Sequence, residues 1–265
     1  MRNRILSHLP TEYPWAEHFH WFDSIGSTND EAKKMALSGA PHGTVLVAGY
    51  QTNGHGRLGR SFHSPENVGV YLTVLLRPNC KPQELMHLTC ATAVAMCDAT
   101  ESAAGFRPGI KWTNDLVSGR KKLGGILTGL GLRPDGTVDY AIIGIGINCC
   151  QGPQDFPQDI ADMAASLAMI AEKEIDRARV AAAMMEALWH MGDTLLTEKD
   201  VMLQRYRRDC ITLGQDVVLV RGDEKRYGTA LDIDEEGALI VRYDNGEIAA
   251  VNSGEISVRG MYGYT

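Results

Sequence analysis

The chain has 265 residues, 44% hydrophobic and 22% charged, so it is long enough to bury a core in one large domain plus a small one. Its formal net charge of −7 argues against non-specific nucleic-acid binding, which needs a basic surface. The six cysteines show no CxxC or CxxH spacing, so we expect free thiols in a reducing compartment.

The distribution of apolar residues indicates neither a signal peptide nor a membrane span. The N-terminus lacks the continuous apolar core of a signal peptide, and no apolar run approaches the roughly 18 residues needed to cross a bilayer. We therefore expect a soluble, cytoplasmic protein without a membrane partner.

Hydrophobic periodicity predicts a mixture of helices and strands over the first 212 residues. After a short lead-in (residues 1–20), Thr28 is predicted to cap a helix that ends at Gly39, because Glu31 follows three residues later. The remaining elements are predicted as strands 45–50 and 68–76, helix 82–104, strands 110–112, 121–132 and 138–147, with a hairpin turn at residues 135–136, and helices 163–171, 178–197 and 199–210.

After Leu213 the pattern changes to short alternating strands separated by tight turns. These strands are predicted at residues 217–220, 226–233, 238–243, 247–251 and 256–259. Several short strands in succession are typical of a small β-barrel. The predicted fold class is therefore α+β, with a mixed sheet and helices on one face in residues 1–212, followed by a barrel domain in residues 213–265.

Residues 54–60 read GHGRLGR, which contains the spacing G-x-G-x-x-G. A strand rather than a helix is predicted to follow, so the dinucleotide-binding interpretation fails, and a P-loop would need a GK[ST] ending. Two alternatives remain. The segment is a surface loop with incidental arginines, or a flexible loop in which Arg57 and Arg60 bind phosphate or carboxylate.

Residues 111–116 read KWTNDL, after which the chain turns and returns through Lys122. A lysine in an apolar, glycine-rich strand is unusual, because burying an ammonium group needs a compensating anion. Lys122 alternates with Leu123, so it is predicted to point away from the core into a cleft; the alternative is a solvated hairpin lysine. Asn114 and Asp115 suit ligand orientation, although turn chemistry alone also explains both.

A third segment, residues 144–148, reads GIGIN and ends a predicted strand. Glycines in a strand allow another backbone or a ligand to approach closely. Asn148 then places a polar side chain at the strand end, where binding groups often lie. A strand-end turn explains this asparagine equally well.

Together these segments resemble the biotin protein ligase family, and the ordered match spans residues 20–260. Each motif has a counterpart in the family: STN at residues 27–29 resembles S-T-N, GHGRLGR at 54–60 resembles G-R-G-R-x-G-R, KWTNDL at 111–116 resembles K-W-P-N-D-L, KLGGI at 122–126 resembles K-x-x-G-I, and GIGIN at 144–148 matches G-I-G-I-N. Five motifs in order are far more specific than any one of them.

Three departures from the family pattern stand out. His55 replaces the first loop arginine, so a hydrogen-bonding imidazole stands where the family has a guanidinium. Thr113 replaces the usual proline and loses only a fixed φ. Cys149 and Cys150 follow where the family often has valine and asparagine.

The resemblance implies a catalytic sheet related to class II aminoacyl-tRNA synthetases and a C-terminal SH3-like barrel. It also implies an ATP- and Mg²⁺-dependent reaction in which biotin, the substrate, is converted to biotinyl-5′-AMP and passed to a lysine of a carrier protein. The expected partner is the biotin carboxyl carrier domain of acetyl-CoA carboxylase or a related carboxylase. Too few residues precede the first catalytic strand for the family's DNA-binding module, so no DNA partner is expected, while a homodimer is left open.

By resemblance, each motif residue also receives an expected role. Biotin is expected to contact Ser27, Thr28, Asn29, Gln51, His55, Gly56, Arg57, Lys122 and Gly125. ATP is expected to contact Arg57, Arg60, Lys111, Asn114 and Asn148. Catalysis is expected from Arg57 and Lys122 through charge stabilisation and from Asp115 through the carrier lysine's proton, with no metal ligand supplied by the protein.

Two rival functions remain open. A lipoate ligase or octanoyltransferase shares the fold superfamily by resemblance, but is expected to have a different lysine environment and no pattern like that at residues 54–60. A non-enzymatic protein would bind through its C-terminal barrel. The acidity of the chain disfavours this last interpretation for a nucleic-acid partner.

Overall fold

A computed structural model describes residues 1–252 and the backbone of residues 257–260. These residues form a seven-stranded sheet and a separate five-stranded sheet, accompanied by helices. None of the helices in the described part of the chain is long and apolar enough to span a bilayer. All six cysteines are free, as predicted, and five of them are buried.

The larger sheet is mixed, as the sequence predicted. Its strands are β1 (Phe19–Phe22), β2 (Thr44–Ala48), β3 (Gly69–Leu76), β4 (Gly109–Lys111), β5 (Asp115–Ser118), β6 (Lys121–Leu132) and β7 (Val138–Asn148). Their spatial order is β1-β2-β3-β7-β6-β5-β4. β1 and β2 run parallel, and the other neighbouring pairs are antiparallel.

Helices pack against this sheet on both faces. They are α1 (Arg2–Leu6), α2 (Thr28–Leu37), α3 (Leu88–Ala104), α4 (Leu167–Ala171), α5 (Arg177–Thr194) and α6 (Lys199–Asp209). The prediction of helices against one face holds for α3 and α5, which share a buried cluster with Val45 and Leu72. Helix α2 departs from this prediction, because it packs on the opposite face of the sheet, against Leu46 and Leu75.

The alternation of residues along β7 explains why the two faces differ. Ile143 and Ile145 point into the core shared with α3 and α5, since successive side chains of a strand point to opposite faces. The residues between and after them, Gly144 and Gly146, therefore face the other side. Because glycine has no side chain, this second face has open space beside α2.

The smaller sheet is built by the chain after residue 215. Its strands are β8 (Asp216–Arg221), β9 (Glu224–Ile233), β10 (Leu239–Tyr243), β11 (Ile248–Val251) and β12 (Ser257–Gly260), in the spatial order β11-β10-β9-β8-β12. Every pair is antiparallel, so the predicted all-β C-terminal module is confirmed. Of the predicted strand at 256–259, residue 256 lies outside the described residues, and the predicted domain boundary at 212/213 stays a prediction.

Two predicted helices begin differently in the structure. Ser27, not Thr28, caps α2, because its hydroxyl accepts from Asp30 N while the Thr28 hydroxyl bonds to Gln51. The helix predicted at 82–104 is split into a 3₁₀ turn (Pro82–Leu85) and α3. At the break, the buried ring of His87 reaches Leu195 O at 2.9 Å.

The prediction of a helix at residues 163–171 is wrong for its first part. Met163 ends a turn, and Ala164 forms a bridge to Lys122: Lys122 N donates to Met163 O and Ala165 N donates to Lys122 O, so the helix begins only at Leu167. Helix α1 and strands β1 and β5 were not predicted. β1 is a short edge strand with one fully buried residue, so no apolar run marked it.

Candidate active site

A cavity of about 620 Å³ lies on the glycine-bearing face of the larger sheet, beside α2. A volume in this range suits a small-molecule ligand. Its wall contains every predicted site residue except Asn148: Ser27, Thr28, Asn29, Gln51, His55, Gly56, Arg57, Arg60, Lys111, Asn114, Asp115, Lys122 and Gly125. Segments nearly 100 residues apart in sequence therefore meet in one site.

The first turn of α2 supplies a hydrogen-bonded cluster to the cavity wall. The backbone N–H and the hydroxyl of Thr28 donate to Gln51 Oε1 at 2.9 and 3.0 Å. The Thr73 hydroxyl lies 2.8 Å from Thr28 Oγ1 and 2.7 Å from Asn29 Oδ1. Gln51 Nε2 in turn donates to Ser64 Oγ at 3.1 Å, so each polar group is held in a fixed orientation. Such a cluster suits a ligand head group that carries its own donors and acceptors.

Glycines in β7 make room for this cluster. A Cβ atom at Gly144 would collide with the Asn29 side chain, and one at Gly146 would collide with the ring of Phe62. The absence of side chains at these two positions therefore allows Asn29 and Phe62 to lie over the sheet. The glycines that the sequence indicated as a close-approach site accommodate the protein's own side chains.

The loop of residues 54–60 turns back on itself beside the cavity. Phe62 N donates to Gly54 O at 2.8 Å, and Gly56 N donates to Arg60 O at 2.7 Å. Leu58 and Gly59 follow with φ of 55° and 72°, a conformation that glycine tolerates and leucine rarely adopts. This tight turn presents both arginines of the loop to the cavity wall.

Arg57 connects the loop to the KWTNDL segment. Its Nη1 donates to Asn114 Oδ1 at 2.8 Å, while Asn114 Nδ2 donates to Ile126 O at 3.0 Å. Burial lowers the pKa of the Arg57 guanidinium, and the nearby Asp115 carboxylate opposes this shift. An arginine stays charged even so, and a partly desolvated cation is stabilised when an anionic ligand arrives.

Lys122 points into the cavity, as predicted, and forms an ion pair there. Its Nζ donates to Asp115 Oδ1 at 2.6 Å, with the two side chains 28% and 15% exposed. Leu123, the next residue, is fully buried on the core side. The alternative of a solvated hairpin lysine is therefore excluded, and Asp115 is the compensating anion that a partly buried lysine requires.

The charge of the wall favours an anionic ligand. Asp115 is the one carboxylate among the described wall residues, against the cations Arg57, Arg60, Lys111 and Lys122. Lys111 is 8% exposed and Arg60 lies at the exposed rim. Fixed positive charges in a partly desolvated cleft attract carboxylates and phosphates more strongly than the same charges in water.

Asn148 is the predicted site residue that the structure does not bring to the cavity. It is 6% exposed, and its Nδ2 donates to Ala165 O at 3.1 Å and to Lys122 O at 3.4 Å. Gln151 Nε2 donates to its Oδ1 at 3.2 Å. In this arrangement Asn148 joins the backbone at Lys122 to the connection that follows β7.

Sequence reasoning missed several wall residues, among them Phe62, Trp112 and Met163. Trp112 was visible within KWTNDL, but its indole N–H donates to Gly237 O at 3.0 Å, a contact with the smaller sheet that no local pattern signals. Phe62 could have been found from Gly146, because a glycine on a strand face indicates a bulky neighbour above it. Met163 carries no signal, since only its backbone pairing with Lys122 places it there.

Comparison with known proteins identifies two matching segments. A model of the biotin/lipoate A/B protein ligase family matches residues 21–148. A model of the biotin protein ligase C terminal domain matches residues 212–259. The first segment holds the residues of the larger sheet that form most of the cavity wall, and the second holds the smaller sheet.

Individual relatives match over most of the chain. The bifunctional ligase/repressor BirA of Bacillus subtilis is 35% identical over 243 residues, covering 91% of this chain and 74% of the relative. The biotin–[acetyl-CoA-carboxylase] ligase of Mycobacterium tuberculosis is 30% identical over 237 residues, covering 87% and 85%. Among solved structures, the biotin protein ligase from Aquifex aeolicus in complex with biotin and ATP matches with a TM-score of 0.76 at 29% identity, covering 91% of this chain and 98% of that chain.

Proposed function

We propose that this chain, which belongs to the biotin protein ligase family, adenylates biotin with ATP and transfers the biotinyl group to a lysine of a carrier protein. The observation that carries the proposal is the cavity, where a neutral hydrogen-bonding cluster and a set of cations share one wall. The cluster suits an uncharged head group, and the cations suit the carboxylate and phosphates that must meet there.

In the first step, a carboxylate oxygen of biotin attacks the α-phosphorus of ATP. The new P–O bond forms as the bond to pyrophosphate breaks, so the products are biotinyl-5′-AMP and pyrophosphate. The nucleophile is already an anion and needs no general base. The barrier lies in bringing negative charges together, and cations fixed before the reaction lower it most effectively.

Arg57 and Lys122 are proposed for this task, because both are partly buried cations in the wall. Ser27, Thr28, Asn29 and Gln51 belong to the polar end of the site and are proposed to hold the head group of biotin. Three further wall residues, Arg60, Lys111 and Asn114, are proposed to contact the nucleotide. Asn148 is proposed to act beside them by holding the backbone at Lys122 in place.

ATP is used as its magnesium complex, so Mg²⁺ arrives on the phosphates as part of the substrate and neutralises some of their charge. The described wall offers Asp115 as its one carboxylate, and Lys122 already pairs with it. The protein therefore supplies cations to the polyphosphate, while the metal is held by the phosphates themselves.

In the second step, the carrier amine attacks the acyl carbon of biotinyl-5′-AMP, a C–N bond forms and AMP leaves. The amine must first lose a proton, and Asp115 is proposed to accept or orient it. Asp115→Asn should then slow transfer from preformed biotinyl-5′-AMP at least tenfold, as measured by mass spectrometry of the carrier. Unchanged transfer would remove Asp115 from this role.

The wider assignment follows from the relatives. The carrier is proposed to be the biotin carboxyl carrier domain of a carboxylase, because the M. tuberculosis relative is named for acetyl-CoA carboxylase. Residues 213–265 are proposed to form a separate small domain, and the free cysteines favour a reducing, cytoplasmic setting. DNA binding is not part of the proposal, and a homodimer remains to be tested by sedimentation.

The deciding experiment measures biotin-dependent exchange of labelled pyrophosphate into ATP, with lipoate in a parallel assay. Exchange with biotin and not with lipoate is the expected result. Lys122→Ala should abolish most of it, and Lys121→Ala is the matched control, since Lys121 lies outside the cavity wall. Exchange with lipoate alone would favour the lipoate-ligase alternative. Exchange with neither substrate would refute the proposed enzymatic function.

A further inference from the structure

His55, which stands where the family pattern has an arginine, lines the cavity and also makes a contact outside it. Its Nε2 lies 2.8 Å from Asp30 Oδ2, so the base of the loop, where His55 pairs with Ser61, is joined to the first turn of α2. The side chains are 38% and 53% exposed. Asp30 itself is not part of the cavity wall, whereas His55 is. The contact therefore connects a ligand-facing loop to a residue that no ligand in the cavity touches.

The two partners differ in how firmly the fold holds them. Asp30 sits on α2, where its N–H bonds to the capping hydroxyl of Ser27 and the helix is anchored in the core by Ala32 and Ala36. His55 lies between two glycines, in a turn stabilised chiefly by its own backbone bonds. Because Asp30 is fixed by the helix, its carboxylate can position the His55 ring and, through it, the base of the loop.

A second contact holds the loop from the cavity side. Arg57 reaches Asn114 at 2.8 Å, but a cation there is also needed by an anionic ligand. Once an anionic ligand binds, it competes with Asn114 for the guanidinium of Arg57. Asp30 lies outside the cavity wall, so its contact with His55 does not compete with a ligand that draws Arg57 away from Asn114. The contact between His55 and Asp30 is suited to keep the loop in place while Arg57 binds the ligand.

We propose that Asp30 is a positioning residue of the ligase reaction, whose carboxylate holds His55 and thereby keeps the loop of residues 54–60 closed over biotinyl-5′-AMP. The inference rests on the proposed function, because that adenylate is the ligand retained. Asp30 makes no contact with the reacting atoms. Its loss should therefore speed the escape and hydrolysis of the intermediate while leaving the chemistry of adenylation nearly intact.

The test uses the full chain loaded with biotin and ATP, freed of excess substrate, and follows the release of biotinyl-5′-AMP. Asp30→Asn should release it about two- to fivefold faster, the size of effect that an exposed ion pair supports. Asp30→Glu, which keeps the carboxylate, should restore most of the retention. The maximal rate of pyrophosphate exchange should change less than the release rate.

Glu31→Gln is the matched control. It removes the same charge from the same helical turn, but the Glu31 carboxylate pairs with Lys34 of α2 at 3.2 Å and lies outside the cavity wall. Release should be unchanged in this variant, which separates the loop contact from the general effect of an acidic residue near a helix N-terminus. An equal acceleration in Glu31→Gln would overturn the proposal.

A double-mutant cycle with His55→Gln tests whether the two residues act as a unit. The double variant should release the adenylate no faster than either single variant. Additive effects, or no effect of Asp30→Asn, would refute the positioning role. If the unmodified chain forms no biotinyl-5′-AMP at all, the proposed function itself fails, and this inference falls with it.

Discussion

The two faces of the larger sheet are built by the same strands and serve opposite purposes. On the face under α3 and α5, alternate residues such as Val74 and Ile143 are fully buried in the core. On the other face, their neighbours Thr73 and Gly144 border or support the cavity. Adjacent residues of one strand thus contribute to stability on one side and to ligand binding on the other.

This difference shows how the protein keeps a cavity with polar walls next to an apolar core. Burial of large aliphatic side chains stabilises the sheet from one side. On the opposite side, the glycines and polar groups around the cavity add little hydrophobic stabilisation, and they lie beside the apolar cluster that Leu46 and Leu75 form with α2. If this division holds, substitutions of neighbouring residues should separate stability from function cleanly.

The largest expected effect is at the pair Lys122 and Leu123. Lys122→Ala removes a fixed cation from the cavity and should lower the rate of adenylation about 100- to 1,000-fold. Leu123→Ala empties a fully buried position and should cost about 2–5 kcal/mol of unfolding free energy, with adenylation by the folded fraction retained. Pyrophosphate exchange and urea unfolding of both variants measure the two quantities. The comparison would fail if Lys122→Ala mainly lowered the stability and Leu123→Ala mainly lowered the rate of adenylation.

A smaller effect is expected at the neighbours Gly144 and Ile143. Gly144→Ala places a methyl group where Asn29 now lies, so the polar cluster must shift. Biotin should bind about 10- to 100-fold more weakly, because misplaced polar groups lose their partners. Ile143→Ala should instead destabilise the fold by about 2–5 kcal/mol. Isothermal titration with biotin, run below the melting temperature of each variant, would contradict this if Ile143→Ala weakened binding more.

The smallest effect is expected at Thr73 and Val74, where the same two residue types can be exchanged. Thr73→Val removes the hydroxyl that contacts Thr28 and Asn29 and should weaken biotin binding about three- to tenfold. Val74→Thr buries a hydroxyl on the core face and should cost about 1–3 kcal/mol of stability without changing affinity. Equal affinities for Thr73→Val and the unmodified chain would show that the hydroxyl does not orient the cluster.

Much of the fold was predictable because it follows from local pattern. The long strands β3, β6 and β7 and the helices α5 and α6 were predicted to within about three residues at each end, whereas α3 begins at Leu88 and not at the predicted residue 82. The errors lie where tertiary contacts override local preference. Residues 163–166 are not helical, because the backbone of Met163 and Ala165 bonds to Lys122, and β1 is a short strand that pairs with β2.

The sequence predicted which residues belong to the site better than it predicted how they are arranged. The predicted site residues were chosen from motifs in order along the chain, and all of them except Asn148 line one cavity. Asn148 was predicted to contact ATP, but it lies outside the cavity wall and its side chain bonds to the backbone at Ala165 and Lys122. A sequence records that a residue is polar and buried, whereas its partner is set by the three-dimensional packing.

What the sequence alone determined was the set of groups available for the chemistry: Arg57, Lys122 and a glycine-rich strand, in a chain with a large α+β part and a small β part. Only the tertiary structure decided how they are arranged. It paired Lys122 with Asp115, placed Asn29 over Gly144 and joined His55 to Asp30. The physical reason is that side-chain periodicity is local, while ion pairs and close packing depend on strands and helices that meet only in the folded chain.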